Sequence, residues 1–170
     1  MEPSPITTEF AQSVLKVLDT MLQVHGVLAG GIDSDTPRPV IGVEAGLDGD
    51  FHGRFSLSMH EDTASALVRL FTGEPHRTCD DDFSDALTEL MSITSGNTKA
   101  GMPGCLMQIA RPRLIWEHAG PADEDQDLES RSLRETMWCG TDCGNIKIGV
   151  TLTSPGAPGD HARRRGGAGS

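Results

Sequence analysis

Apolar positions along this chain change period several times, and each change marks an element. Phe10, Val14, Val17, Leu18, Met21 and Leu22 recur at helical spacing and predict a helix from about Pro5 to His25. Ser4 suits its cap, Pro5 its first turn, and Gly26 follows its end, with Gly30 and Gly31 in a loop. The period then drops to two. Ile41, Val43 and Ala45 alternate with Gly42 and Glu44. After a turn over Gly46 to Asp50, Phe55, Leu57 and Met59 alternate with Arg54, Ser56 and Ser58. That pattern predicts an antiparallel hairpin with one buried face. Ala64, Leu67, Val68 and Phe71 mark a short helix from about Asp62 to Thr72. Glu61 and Asp62 sit at its positive end, and Gly73 and Pro75 stop it.

A longer helix is predicted from about Asp81 to Gly101, ended by Pro103 and Gly104. The last third reads as strands. Ile109 to Trp116 holds Pro112, which points to an edge or a bulge. Pro121 to Asp127 reads as an acidic loop. Thr136 to Cys139 and Asn145 to Leu152 form a second hairpin, with Ile146, Ile148, Val150 and Leu152 in unbroken alternation. The order is helix, two strands, two helices and three strands: an α+β fold with helices packed on an antiparallel sheet. Residues 1–153 read as one domain. Residues 154–170, rich in Gly, Pro and Ala and carrying Arg163, Arg164 and Arg165, read as a disordered tail.

The long helix divides into two faces. Phe83, Ala86, Leu87, Leu90 and Ile93 form a core-facing stripe. Asp85, Glu89, Ser92, Gly96 and Lys99 form a second stripe at spacings of four, three, four and three. A carboxylate and a hydroxyl thus stand less than a turn apart, on a surface suited to meeting another protein and ordering a water. A lone acid on such a stripe is otherwise simply solvated. Ser92 has no neighbouring His or Asp in sequence to make it a nucleophile.

Composition narrows the partners. The chain has 25 acidic and 14 basic residues, a net charge of −11, which argues against duplex DNA or an anionic membrane. Five Phe, two Trp and no Tyr leave little for a base-stacking platform. The arginine triplet in the tail is too few charges for firm RNA or lipid binding. No run of 18 apolar residues and no signal-peptide pattern is read, so a cytoplasmic protein with reduced thiols is expected. Cys139 and Cys143 read as ordinary small residues in a turn rather than a disulfide or metal pair. The six histidines show no ligand spacing, so neither metal nor cofactor is expected.

The element order and the long helix together resemble the CheX/CheC/FliY family of chemotaxis phosphatases over roughly residues 6 to 153. Members carry Asp or Ser, three residues, Glu, two residues and Asn on one helix, usually followed by a Gly-Asn-x-Lys run. Asp85, Glu89, Gly96, Asn97 and Lys99 match, as does Pro112 entering a strand. The resemblance implies a CheC/CheX-like fold and a phosphorylated CheY-type receiver as partner. It further implies that Glu89 grips the receiver's active-site lysine, and that the carboxamide of the residue at the family's Asn position aims the attacking water. Here that residue is Ser92 in place of Asn, with a hydroxyl about 1–2 Å nearer the backbone than a carboxamide tip. Asn97 cannot replace it, since five residues turn it about 140° round the helix. Two functions stay open: a phospho-aspartate phosphatase with Glu89 and Ser92 as its working pair and Asp85, Gly96 and Lys99 contacting the partner, or a degenerate binding or dimerisation module of the same fold that docks a receiver or another signalling protein, with a sheet edge as the dimer contact. Small-molecule binding between helices and sheet is a third class without positive support.

Overall fold

A computed structural model describes residues 2–29, 38–117 and 132–153. The acidic loop and the tail fall outside the described residues.

Three helices cover one face of a seven-stranded, wholly antiparallel sheet. In chain order the elements are α1 (Pro5–Leu22), β1 (Gly26–Ala29), β2 (Ile41–Gly49), β3 (His52–Met59), α2 (Glu61–Thr72), α3 (Asp81–Ala100), β4 (Met107–Ile109), β5 (Arg113–Trp116), β6 (Ser132–Thr141) and β7 (Gly144–Thr153). The strands lie in the order β1-β6-β7-β3-β2-β4, with β5 also paired to β2. This is the expected α+β class, with helices packed on an antiparallel sheet.

Several expectations needed correction. The first helix stops at Leu22 rather than His25. Gln23 turns left-handed at φ 55°, and the Val24 N–H closes on the Leu18 carbonyl at 2.9 Å. Val24 is buried in that turn. The chain then forms β1, absent from the predicted order because four residues beginning with Gly carry no periodic signal. The strand exists through its pairing with β6, Leu28 opposite Cys139. Gly46 to Gly49 extend β2 instead of forming the turn, so the hairpin closes over Asp50 and Phe51. Ile41 to Ala45 are buried on both faces rather than one, Gly42 and Glu44 included. The Pro112 segment splits into β4 and β5, which pair with successive parts of β2 at the sheet edge. Cys139 sits in β6, fully buried, not in a turn; burial pushes its thiol up. The second helix begins at Glu61, one residue before its predicted start.

The core lies between sheet and helices. Phe10 of α1 stacks on Phe55 of β3 with ring centroids 4.1 Å apart, both rings fully buried. Ile41, Leu57, Ile146 and Ile148 line the sheet beneath α2 and α3. A void of about 30 Å³, walled by Val14, Leu18, Leu87 and Leu90 among others, is the space of one or two waters but is almost wholly apolar.

Ser4 is the residue before α1, yet its side chain does not cap that helix. Its N–H donates to Glu135 Oε1 at 2.9 Å, and the hydroxyls of Ser4 and Thr7 both donate to Glu135 Oε2. A carboxylate from β6 therefore holds the positive end of α1. Burial pushes the Glu135 carboxyl up, but these three hydrogen bonds outweigh it and hold the carboxyl below its ordinary 4.5. A depressed pKa stabilises the fold above the unfolded-state value, and that contribution disappears as pH falls through the folded-state value. Urea melts should therefore show wild type more stable than Glu135→Gln at neutral pH, with the gap closing below about pH 4.5. A gap independent of pH would show that the carboxylate charge is not what ties α1 to β6.

Candidate functional site

The α3 helix is built so that one face is anchored and the other bare. Asp80 precedes it in extended conformation, and Asp81 and Asp82 occupy its first turn beside the positive end of the helix dipole. Lys99 sits in the last turn, beside the negative end. Phe83, Ala86, Leu87, Leu90 and Met91 are buried against the core. Thr94 and Thr98 are buried too, and each satisfies its hydroxyl on the helix itself: Thr94 on the Leu90 carbonyl at 2.7 Å and Thr98 on the Thr94 carbonyl at 2.9 Å. Ile93 is half-buried at the edge of the core.

Asp85, Glu89, Ser92, Gly96 and Lys99 are all exposed, on the side of α3 opposite that anchor. The stripe read from the sequence is thus one continuous outward surface. Helical geometry puts Ser92 about 4.5 Å along the axis from Glu89 and about 60° round it. Two polar side chains at that offset can engage one partner together. Asn97 lies off the stripe and is half-buried. The rigidity of the platform comes from beneath: α3 packs on α1, α2, β2 and β5.

Two polar clusters absent from the sequence reading lie elsewhere. One is the Glu135 carboxylate at α1. The other is on the sheet face away from the helices, where Arg113 Nε donates to the nearly buried Glu44 at 2.7 Å and Arg54 approaches the same carboxylate at 3.9 Å. Beside it the Ser58 hydroxyl donates to Glu117 at 2.6 Å. Arg113 stands directly opposite Glu44 in the β2–β5 register, which only strand pairing could reveal. Neither cluster includes a residue of α3. An open cleft of about 450 Å³ at the β1–β6 edge, bordered by Glu2, Leu28 and Met137 among others, has no residue of α3 in its lining. Among the described residues no group of His, Cys, Asp and Glu side chains is placed to hold a metal ion. No helix among them is long and apolar enough to cross a membrane.

Comparison with known proteins agrees with this architecture. No curated protein sequence matches the chain. Among solved structures, a chemotaxis protein CheX from Desulfovibrio desulfuricans superposes with a TM-score of 0.70 at 19% identity, covering 88% of this chain and 99% of that one. The CheX–CheY–BeF3–Mg complex from Borrelia burgdorferi gives 0.65 at 20% identity, covering 86% and 97%. FliY from Thermotoga maritima gives 0.61 at 14% identity, covering 91% and 93%. These likenesses establish the CheC/CheX-like fold. Residues 41–131, just over half of the chain and including all of α3, match the family described as chemotaxis phosphatase CheX. With fold, helix and family match in agreement, this chain belongs to the CheX family.

Proposed function

We propose that the chain docks a phosphorylated CheY-type receiver of a two-component pathway on the outward face of α3 and speeds hydrolysis of its aspartyl phosphate. The observation that carries this reading is the exposed pair Glu89 and Ser92 on a helix anchored from below, in a chain of this family. A further support is that the CheX of Borrelia burgdorferi, which shares the fold, forms a complex with CheY. Glu89 pairs with the receiver's active-site lysine. The Ser92 hydroxyl accepts a hydrogen bond from a water placed in line with the phosphorus–oxygen bond. The water oxygen attacks phosphorus and the bond to the aspartyl oxygen breaks. The electron pair stays on the aspartate carboxylate, and the water proton passes to the departing phosphate. Such a reaction needs positioning and charge stabilisation more than covalent help, so two side chains suffice for a large effect. Asp85 and Lys99 contribute further partner contacts, with no metal or cofactor from this chain. The reading places the protein in the cytoplasm, with the receivers.

Ser92 also favours a second reading, a docking or dimerising module with little turnover. A hydroxyl set about 1–2 Å too far back forfeits on the order of a hundredfold in rate. Decay of a phosphorylated receiver, followed with wild type, Ser92→Ala and Ser92→Asn, separates the two. For an active phosphatase, Ser92→Ala slows the decay toward the spontaneous rate. For a degenerate module, wild type and Ser92→Ala are equally inert while the receiver still binds, and Ser92→Asn gains activity. A protein that neither binds nor dephosphorylates any CheY-type receiver of its own organism excludes the phosphatase and the receiver-docking module alike.

A further inference from the structure

Gly96 occupies the interior of α3, five residues before the helix cap at Gly101. Glycine is among the poorest residues for such a position, so its presence calls for a physical reason. Three reasons internal to a fold are usual, and none applies. Gly96 does not have the positive φ that favours glycine; among the described residues the glycines that do are 49, 53, 73, 104 and 144. It is not at a cap. It does not permit close packing either, because a Cβ at Gly96 would meet nothing within 4 Å. A Cβ at Gly26 would strike Cys139 Sγ and Leu15, and one at Gly101 would collide with the Glu9 carboxylate; Gly73 and Gly104 have open space as Gly96 does, but both have positive φ.

The surroundings of Gly96 give the missing reason a direction. It lies on the exposed stripe, about 6 Å along the axis from Ser92 and about 10 Å from Glu89, with Lys99 about 4.5 Å beyond it. Ser92 and Gly96 together leave a low strip of helix surface between an anionic and a cationic side chain. A strip of that shape accepts a polypeptide main chain lying directly on α3, where a side chain at position 96 would hold it away.

We propose that Gly96 is the point at which the main chain of a docked receiver loop rests on α3, setting the approach distance at which Glu89 and Ser92 reach their targets. The proposal deepens the receiver-docking reading and rests on it. The occupant is a loop of the receiver. It brings a cationic side chain to Glu89 and main-chain or anionic oxygens to Lys99. The short Ser92 side chain belongs to the same arrangement, since a partner that sits closer brings its phosphoryl group nearer to a hydroxyl set further back.

Titration of the full chain with its organism's CheY-type receivers, loaded with beryllofluoride and Mg²⁺, tests this. The variants are wild type, Glu89→Ala and Gly96→Ala, with a thermal melt of each. Gly96→Ala should raise the melting temperature by about 2–4 °C, and it should weaken receiver binding by about tenfold or more, as a methyl group forced into a close contact does. Better folding with poorer binding is an outcome that a purely structural glycine does not produce. If Glu89→Ala loses binding while Gly96→Ala keeps wild-type affinity, docking on α3 stands and the close-approach role of Gly96 is wrong. If wild type binds none of the receivers, the docking reading fails and the role of Gly96 fails with it.

Discussion

Glu89→Ala should reduce acceleration of receiver dephosphorylation by about a hundredfold while leaving the fold intact. The size follows from removing one partner of a charge pair that becomes desolvated on docking, a loss of about 2–5 kcal/mol. The intact fold follows from exposure. Glu89 is on the outward face of α3 and takes no part in the core, so its truncation should change stability by less than about 0.5 kcal/mol. Loss of activity with an unchanged melting curve is therefore the expected pairing. Steady-state hydrolysis at varied receiver concentration should show the defect in kcat/KM, with the isolated receiver's spontaneous decay as the floor. A rate untouched by Glu89→Ala would remove the carboxylate from the site, and a variant that loses rate only by unfolding would show it in the melt.

Phe10→Ala should have the opposite profile, a large loss of stability from a residue far from α3's outward surface. The ring is fully buried and stacked on Phe55, joining α1 to the middle of the sheet. Removing a buried aromatic ring costs about 3–5 kcal/mol in transfer and cavity terms. Domains are stable by only about 5–15 kcal/mol, so this is a large share of the total. Urea denaturation should show the midpoint falling with the slope unchanged. The melting temperature should drop by more than about 6 °C. A loss below about 1 kcal/mol would mean that the stacked pair is not what anchors α1. Phe55→Ala and the double variant complete a cycle, in which the two rings should couple by about 0.5–1.5 kcal/mol.

Local periodicity made much of this molecule legible. The inner faces of α2 and α3 and the alternation of β3 and β7 were readable because a helix or strand repeats its environment every few residues. The outward stripe of α3 was readable for the same reason, as the complement of an apolar face. What had no periodic mark was missed. β1 is four residues long and owes its conformation to β6. Gly26 marked the end of the predicted first helix, whereas the left-handed turn that ends it falls at Gln23, a residue type that carries no such signal. Ser4 looked like a local cap, yet its partner is Glu135, 131 residues away in sequence.

Amino-acid order alone dictated the two-faced character of α3, the acidic surface and the alternating strands, because these depend only on neighbours a few positions apart. Folding in three dimensions decided which polar groups stay in water. Glu44 was drawn beneath Arg113, Glu135 was spent on the start of α1, and Glu89 and Ser92 were left bare. Burial and pairing depend on what the sheet register and helix packing bring from distant parts of the chain, and no local pattern encodes them.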